Sequence, residues 1–221
     1  MRIKLRSVVA LACFAGLAGM ARGQTPVLTG IPGLMVWQNA PAHWKVNEPG
    51  TLSITAGKGT DWFVSPMDGA RRENSPRLVF EPADDFVLSA RVTVDFRSQW
   101  DAGALVLYVD DSTWAKVCVE MTVEKHPAIV SVVTKGLSDD NNSIAVAGKA
   151  VYLKIAKAGQ AIFFYASEDG QSWKIIRAFS FGAGVKVRAG FSSQSPVGDG
   201  CMTVFDQISY QAKRVDLWTG K

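Results

Sequence analysis

Hydrophobic and polar residues alternate with a period of two along most of the chain beyond residue 50. In residues 86–96 nearly every second position, from Phe86 to Phe96, carries an apolar side chain. Successive side chains of a β-strand point to opposite faces, so this pattern predicts a strand with one buried face. The same pattern predicts further strands at residues 104–110, 114–121, 129–135, 151–157, 161–166, 173–179, 185–191 and 202–210.

Turn-forming residues separate the predicted strands at intervals of about ten residues. They include His126-Pro127, Ser138–Ser143 and Glu168-Asp169-Gly170. No stretch shows a convincing apolar stripe with the 3.6-residue period of an amphipathic helix. This spacing is typical of a β-sandwich or jelly roll, so we predict an all-β fold of two antiparallel sheets in one domain.

The two ends of the chain differ in pattern from its middle. Residues 24–50 contain four prolines and predict an irregular approach to the sheets, and we place the start of the folded domain at residue 35. The predicted organisation is a lead-in at residues 24–34, a single β-sandwich domain at 35–210 and a C-terminal tail at 211–221.

Residues 1–23 have the composition of a secretory signal peptide. Three basic residues lie within the first six positions, an apolar run follows from Val8 to Met20, and small residues precede Gln24. The run is shorter than the roughly 20 residues that a membrane-spanning helix requires. We therefore predict cleavage before Gln24 and a secreted or periplasmic protein.

The basic excess of the chain lies entirely in this leader. The formal charge is +4, from 24 basic and 20 acidic residues, and residues 1–23 hold four basic residues and no acidic residue. The mature chain would be neutral, with 24 − 4 = 20 basic against 20 acidic groups. Nucleic acid and anionic membranes are therefore excluded as partners on charge, and we expect a monomer.

Two cysteines, Cys118 and Cys201, remain after cleavage of the leader. In an oxidising compartment they can pair and tie the middle of the chain to its last strand. Alternatively, each is a small buried apolar residue in a strand. Spacing along the chain does not decide between these interpretations.

Short motifs along the chain resemble, in order, those of the "regulation of enolase protein" family, which belongs to the concanavalin A-like lectin/glucanase superfamily. The resemblance implies two curved antiparallel sheets in a jelly roll. Its motifs are Thr60-Asp61-Trp62, Asp85-Phe86, Trp100–Gly103, Trp114–Lys116 followed by Glu120, Ser131–Thr134, Ser138-Asp139, Ser167–Trp173 and Ser195-Pro196.

The predicted strand 114–121 carries the strongest candidate site. Alternation places Trp114, Lys116 and Glu120 on one face, and a flat aromatic ring beside charged groups is suited to sugar recognition. We therefore predict that this row lines an open hollow and binds a glycan or polysaccharide. The further candidates are Tyr108 beside the row, Trp62 and Trp100 at its rim, and Arg188 as a partner of Glu120 across the sheet. The alternative is a structural or interaction domain, in which Lys116 and Glu120 pair on a solvated face and Trp114 covers the sheet.

A glycoside hydrolase or lyase centred on Glu120 is a second functional hypothesis. Hydrolysis needs two carboxyl groups about 5–9.5 Å apart, whereas Glu120 and Glu124 are separated by about 13 Å of strand. A cross-strand partner for Glu120, such as Asp95 or Asp110, is required instead. No His-Glu-x-x-His or Gly-x-Ser-x-Gly motif supports another catalytic scheme.

Two other polar segments have competing interpretations. Ser138–Ser143 is dense in oxygen ligands, so Asp139 and Asp140 are candidates for a Ca²⁺ site, although the segment is equally suited to a polar turn. No other cofactor is expected. Ser167–Trp173 contains Asp169-Gly170, which is suited to a tight hairpin, and we interpret this segment as structural.

Overall fold

The computed structural model of the protein describes residues 26–47, 50–148 and 150–220, so the predicted signal segment 1–23 lies outside the described residues. Within these ranges, no helix is both long and apolar enough to cross a membrane. The strands are β1 (Val36–Gln38), β2 (His43–Asn47), β3 (Thr51–Gly57), β4 (Trp62–Val64), β5 (Arg71–Glu73), β6 (Arg77–Phe80), β7 (Phe86–Val94), β8 (Ala102–Asp110), β9 (Thr113–Met121), β10 (Pro127–Lys135), β11 (Leu137–Ala145), β12 (Ala150–Ala158), β13 (Ala161–Ser167), β14 (Lys174–Ser180), β15 (Arg188–Gln194) and β16 (Gly200–Gln211).

The strands form two seven-stranded sheets and one small hairpin. The front sheet has the order β1-β6-β15-β8-β9-β10-β11, the back sheet has the order β14-β13-β12-β7-β16-β3-β2, and β4 pairs with β5. Every pairing among these strands is antiparallel. The predicted all-β fold of two antiparallel sheets in a jelly roll is confirmed.

The main core lies between the two sheets and follows from the alternation along each strand. On β7, Phe86, Leu88 and the alternate positions after them are fully buried, whereas the residues between them are partly exposed. Phe191 of the front sheet and Phe205 of the back sheet meet across the interface, with their ring centroids 5.2 Å apart. This close packing fixes which face of each strand remains available for other contacts.

The outer faces of both sheets are also partly covered. The β4–β5 hairpin packs on the front sheet, where Trp62 and Val64 join a second buried apolar cluster. The C-terminal residues 212–220 pack on the back sheet through Val215 and Leu217, and the Tyr165 hydroxyl donates a hydrogen bond to the Leu217 carbonyl. The tail therefore covers the side of the molecule opposite to the hairpin.

Two segments differ from the prediction. Residues 138–143, predicted as a turn, lie within β11, an edge strand whose side chains are mostly exposed. An edge strand with one neighbour and two wet faces has no apolar alternation to reveal it. Residues 24–50, predicted to be irregular, contain β1 and β2.

Cys118 and Cys201 do not pair with each other. Both are buried and free. Cys118 lies on the outer face of the front sheet, whereas Cys201 lies in the core between the sheets. The interpretation of each as a small buried apolar residue therefore fits the structure.

Replacement of Gly103 by Ala tests the packing between the sheets. A Cβ atom at this position would lie 2.4 Å from Thr203 Cγ2 and 2.9 Å from Val92 Cγ1. We expect Gly103→Ala to lower the free energy of unfolding by about 1–3 kcal/mol, measured by urea denaturation. The control is Gly57→Ala, also in a strand, where a Cβ would meet no atom within 4 Å. Equal stability of the two variants would contradict this packing.

Candidate functional site

The candidate row on β9 lies on the outer face of the front sheet, as the alternation predicts. Ala115, Val117 and Val119 point into the core between the sheets. Trp114 and Cys118 belong to the separate cluster on the other face. The row is nevertheless covered, because Trp114 is 0% exposed, Lys116 is 3% exposed and Glu120 is 9% exposed.

The β4–β5 hairpin covers the Trp114 and Lys116 positions of this row. The Trp62 indole stacks on the Trp114 indole with 4.0 Å between ring centroids and 17° between ring planes. The Arg77 guanidinium lies 4.4 Å from the Trp62 ring. The Val64 N–H donates a 2.9 Å hydrogen bond to the Ser138 hydroxyl and so fixes the hairpin to β11. The predictions of an open Trp114 platform and of Trp62 at a rim are therefore wrong.

Three buried side chains form a polar trio, which we define as Lys116, Gln194 and Glu120. The Lys116 ammonium donates to the Gln194 Oε1 atom at 2.7 Å and to the Trp62 carbonyl at 2.8 Å. The Gln194 Nε2 atom donates to Glu120 Oε2 at 3.4 Å and to the Trp100 carbonyl at 3.3 Å. Lys116 and Glu120 are thus connected through an amide and do not pair directly.

Burial changes the protonation of Glu120. Its cross-strand neighbours are Ala102 on β8 and Ala128 on β10, which offer the carboxyl group no polar contact. Loss of hydration, reinforced by the charges of Asp140 and Asp61 and opposed by Lys116, raises the Glu120 pKa to about 8. Glu120 is therefore mainly a neutral acid at pH 7.

Trp100 is the exposed aromatic residue beside this acid. It is 39% exposed and adopts a positive φ of 63°. The backbone N–H of Trp100 donates to the Met121 carbonyl at 2.7 Å. The Asp101 carboxylate accepts hydrogen bonds from the backbone N–H groups of Arg97 and Ser98 at 2.8 Å. These contacts fix the loop that carries Trp100. The prediction of Trp100 at a rim is compatible with this position.

Two other predicted residues lie at the far end of the sheet from Glu120. Arg188 pairs in register with Tyr108, and its guanidinium lies 5.1 Å from the Tyr108 ring. The Tyr108 hydroxyl donates to Asp111 at 2.8 Å. The predicted contact of Arg188 with Glu120 is wrong, because the register places the opposite end of β15 beside Glu120.

Gln194 is the residue that sequence reasoning missed. It pairs with Ala102, which in turn pairs with Glu120, so it lies two strands from the acid. The apolar positions of the predicted strand 185–191 are the odd-numbered ones, and Gln194 lies beyond the predicted strand on the other face, the face of Arg188. Gly190 on the same strand is not a signal for it, because a Cβ there would lie 1.9 Å from the Leu78 carbonyl oxygen, so this glycine reflects a close approach of the β6 backbone.

The proposed calcium ligands point to opposite sides of β11. Asp139 forms an ion pair with Arg177 at 2.7 Å, towards the back sheet. Asp140 shares the outer face with Lys116, one strand removed through Val132. The predicted Ca²⁺ site formed by both carboxylates is therefore wrong in its geometry. Within the described ranges, no group of three or more His, Cys, Asp or Glu residues is arranged to hold a metal ion.

The carboxylate pair expected for hydrolysis is not formed with either predicted partner. Asp95 interacts with Arg97 in the loop after β7, and Asp110 pairs with Thr113 at the opposite end of β9 from Glu120. The cross-strand positions beside Glu120 hold alanine on both sides. The register therefore corrects the hypothesis that Asp95 or Asp110 acts with Glu120.

The outer face beyond the Trp62–Trp114 stack carries a group of polar residues, some buried and some exposed, which we call the polar face. Beneath it lie the small buried side chains of Ala102, Ala104, Cys118 and Ser192, the first three of which belong to the cluster that also contains Trp62 and Val64. The polar face is defined by Glu120, Gln194, Trp100, Asp140 and Asn142, of which the last two are exposed on β11. A ligand at this surface would meet one indole, one neutral acid and several hydrogen-bonding groups.

A second concave region lies away from all predicted site residues. A cleft of about 180 Å³ opens between the sheets and is lined by Ile129, Val151 and the Ser167–Asp169 turn. In this turn the Asp169 carboxylate accepts hydrogen bonds from the Gln171 and Ser172 N–H groups at 2.7 Å, which hold the Asp169 pKa well below its usual value. The hairpin therefore has the structural role that we predicted for it.

The chain resembles known proteins of yeast, in sequence and in structure. "Regulation of enolase protein 1" of Saccharomyces cerevisiae is 24% identical over 178 residues, which cover 80% of this chain and 88% of that protein. A crystal structure of a functionally unknown protein from Saccharomyces cerevisiae has a TM-score of 0.75 and 22% identity, over 82% of this chain and 97% of that chain. The resemblance expected from the ordered motifs is confirmed.

Two carbohydrate-related structures share the architecture. The GH43 protein BlXynB (K247S mutant) from Bacillus licheniformis has a TM-score of 0.63 and 19% identity, over 80% of this chain and 37% of that chain. The carbohydrate-binding module CBM66 from Bacillus subtilis has a TM-score of 0.50 and 14% identity, over 79% of this chain and 94% of that chain. The model of a family described as "Protein of unknown function (DUF1349)" matches residues 37–213.

Truncation of Trp62 tests the covering of the front sheet. We expect Trp62→Ala to lower the free energy of unfolding by about 3–5 kcal/mol, because it removes a fully buried indole and uncovers Trp114. Urea denaturation followed by circular dichroism measures this loss. Met67→Ala, at an exposed position between β4 and β5, is the control and should change stability by less than about 0.5 kcal/mol. A mild effect of Trp62→Ala would show that the hairpin does not pack as described.

Proposed function

The chain belongs to the DUF1349 family of proteins of unknown function, and within that family we propose that it is an exported sugar-binding domain. The proposed site is the polar face of the front sheet. Glu120, Gln194, Asp140 and Asn142 bond the hydroxyl and ether oxygens of the sugar, and Trp100 contacts its apolar C–H face. This assignment places binding at one end of β9, away from the covered Trp114.

The observation that carries the proposal is an exposed indole beside a buried acid with an available oxygen. Glu120 Oε2 accepts from Gln194, whereas Oε1 has no hydrogen-bond partner among the described residues. Trp100 is 39% exposed, and its carbonyl accepts from the same Gln194 amide. Sugar sites combine an aromatic surface with a few fixed polar groups, and this face provides both.

The related structures support the same class of ligand. The names of the BlXynB protein and of CBM66 refer to a glycoside hydrolase family and to a carbohydrate-binding module. These names describe those proteins, and the chain spans only 37% of the hydrolase. The similarity to a complete carbohydrate-binding module, of which 94% is covered, favours a binding role for the whole domain.

The geometry around Glu120 supports binding over hydrolysis. A hydrolase would need a second carboxyl group about 5–9.5 Å from Glu120, flanking the scissile bond. The positions across the strand from Glu120 are Ala102 and Ala128, and the predicted partners Asp95 and Asp110 lie elsewhere. Neither predicted partner supplies the second carboxyl group, although Asp140 and Asp61 act on Glu120 electrostatically. We propose binding on the basis of the exposed indole and the buried acid, and hydrolysis remains the alternative.

Trp100→Ala tests the proposed site. We expect soluble xylan or xyloglucan to bind about two- to tenfold more weakly to this variant than to the wild type, since loss of an aromatic contact costs roughly 0.5–1.5 kcal/mol. Affinity electrophoresis and isothermal titration calorimetry measure the change. The matched control is Trp218→Ala, a tryptophan that is 75% exposed on the opposite side of the molecule.

The two tryptophan variants separate the outcomes. Wild-type affinity of Trp218→Ala together with weakened binding by Trp100→Ala supports the polar face. Equal affinities of both variants and the wild type would place the sugar elsewhere, and absence of binding by the wild type would reject the proposed function for these glycans.

Export is the second part of the proposal and rests on residues 1–23. We expect the full chain, expressed in a Gram-negative host, to reach the periplasm or medium with Gln24 as its first residue, measured by fractionation and intact mass. Leu11→Arg interrupts the apolar run and should keep the uncleaved chain in the cytoplasm. The control is Val27→Arg, the same type of change beyond the cleavage position. An uncleaved wild-type chain would contradict the export proposal.

A further inference from the structure

The polar trio determines the orientation of the Gln194 amide. A lysine ammonium can only donate hydrogen bonds, so the atom of Gln194 that faces Lys116 at 2.7 Å must be the carbonyl oxygen Oε1. The amide nitrogen Nε2 then faces Glu120 and the Trp100 carbonyl. The direction of the amide is therefore imposed by the charge of its neighbour.

The amide orientation in turn determines which Glu120 oxygen can carry a proton. Gln194 Nε2 donates to Glu120 Oε2, so Oε2 must act as an acceptor. A proton on the carboxyl group is consequently placed on Oε1. This second oxygen has no hydrogen-bond partner among the described residues, although the side chain is 91% buried. A neutral Glu120 thus directs an O–H donor toward the polar face.

Burial raises the pKa of Glu120 and so favours this neutral form; the charges of Asp140 and Asp61 act in the same direction, and the Lys116 ammonium opposes it. Lys116 and Cys118 lie near Glu120 on the same strand, and their ammonium and thiol groups are its neighbours along β9. Asp140 on β11 and Asp61 on the segment before β4 are the other titratable groups around it. Strands β8 and β10 contribute only alanines. Lys116 is engaged by Gln194 and the Trp62 carbonyl and joins no ion pair among the described residues.

We propose that Glu120 serves the polar face as a hydrogen-bond donor through Oε1, and that the sugar oxygen bound there acts as the acceptor. Gln194 is the positioning residue that sets the place of the proton. The ligand half of this inference rests on the proposed sugar binding. The protonation half concerns the free protein and is tested without any sugar.

The first experiment compares the thermal stability of wild type and Glu120→Gln between pH 5 and pH 9. Glutamine is the isostere of the protonated acid, with an amide in place of the O–H group. Wild-type Glu120 keeps its proton when folded and loses it when unfolded, so wild-type stability falls relative to the variant as pH rises from about 5 to 8. Above about pH 8 both states are ionised, and the difference in melting temperature becomes constant.

Glu81→Gln, the same change at an exposed position, is the matched control and should show no such divergence. A difference between wild type and Glu120→Gln that is constant across the whole pH range would mean that Glu120 is ionised in the folded protein. That result would overturn the protonation half of the inference.

The second experiment measures the affinity for xylan oligosaccharides at pH 7 and pH 9. We expect the wild type to bind about tenfold more weakly at pH 9, because the donor is lost on ionisation. Glu120→Gln should bind independently of pH over this interval and exceed the wild type at pH 9. Glu81→Gln should keep the wild-type pH dependence.

The outcomes of the two experiments are distinguishable. Stronger wild-type binding at pH 9, or a loss of binding by Glu120→Gln at both pH values, would show that Glu120 acts as an acceptor and would overturn the inference. Absence of sugar binding by the wild type would reject the proposed function and the ligand half of the inference. The stability comparison would still decide whether Glu120 is protonated in the folded chain.

Discussion

Stacking of Trp62 on Trp114 determines which part of the front sheet meets solvent. The two indoles lie 4.0 Å apart, and Arg77 approaches the Trp62 ring at 4.4 Å. Covering an indole with another aromatic ring removes a large apolar surface from water. The hairpin that makes this contact contains only the two short strands β4 and β5, and beyond it Trp100 is exposed beside the buried Glu120. The position of the polar face follows from this one contact.

The alternation of residues was sufficient to predict the two sheets and the direction of each side chain on the central strands. Along β9 it correctly separated Ala115, Val117 and Val119 from the row that begins at Trp114. Alternation reports the face of a strand, but it does not report what packs on that face. Trp62 precedes Trp114 by fifty-two positions, and no local pattern indicates that the two indoles meet. The burial of Trp114, Lys116 and Glu120 therefore could not be predicted from the alternation of residues.

Cross-strand register explains the other differences between prediction and structure. Arg188 and Gln194 occupy the same face of β15, and only the pairing with β8 decides which of them approaches Glu120. The edge strand β11 carries Asp139 and Asp140 on opposite faces, although their adjacency in sequence suggested a shared ligand. Register arises from contacts across the whole sheet, so a single sequence shows it weakly at polar and small residues.

The polar trio connects the stability of the domain with its proposed chemistry. Burying an ammonium and a carboxylate without a direct ion pair is unfavourable, and apolar residues of similar size would stabilise the sheet at least as well. Protonation of Glu120 removes one of the two charges, and the Gln194 amide satisfies the remaining ammonium together with the Trp62 carbonyl. The same arrangement leaves Oε1 of Glu120 unpartnered beside the exposed Trp100. Structure alone does not require that free oxygen, whereas ligand recognition does.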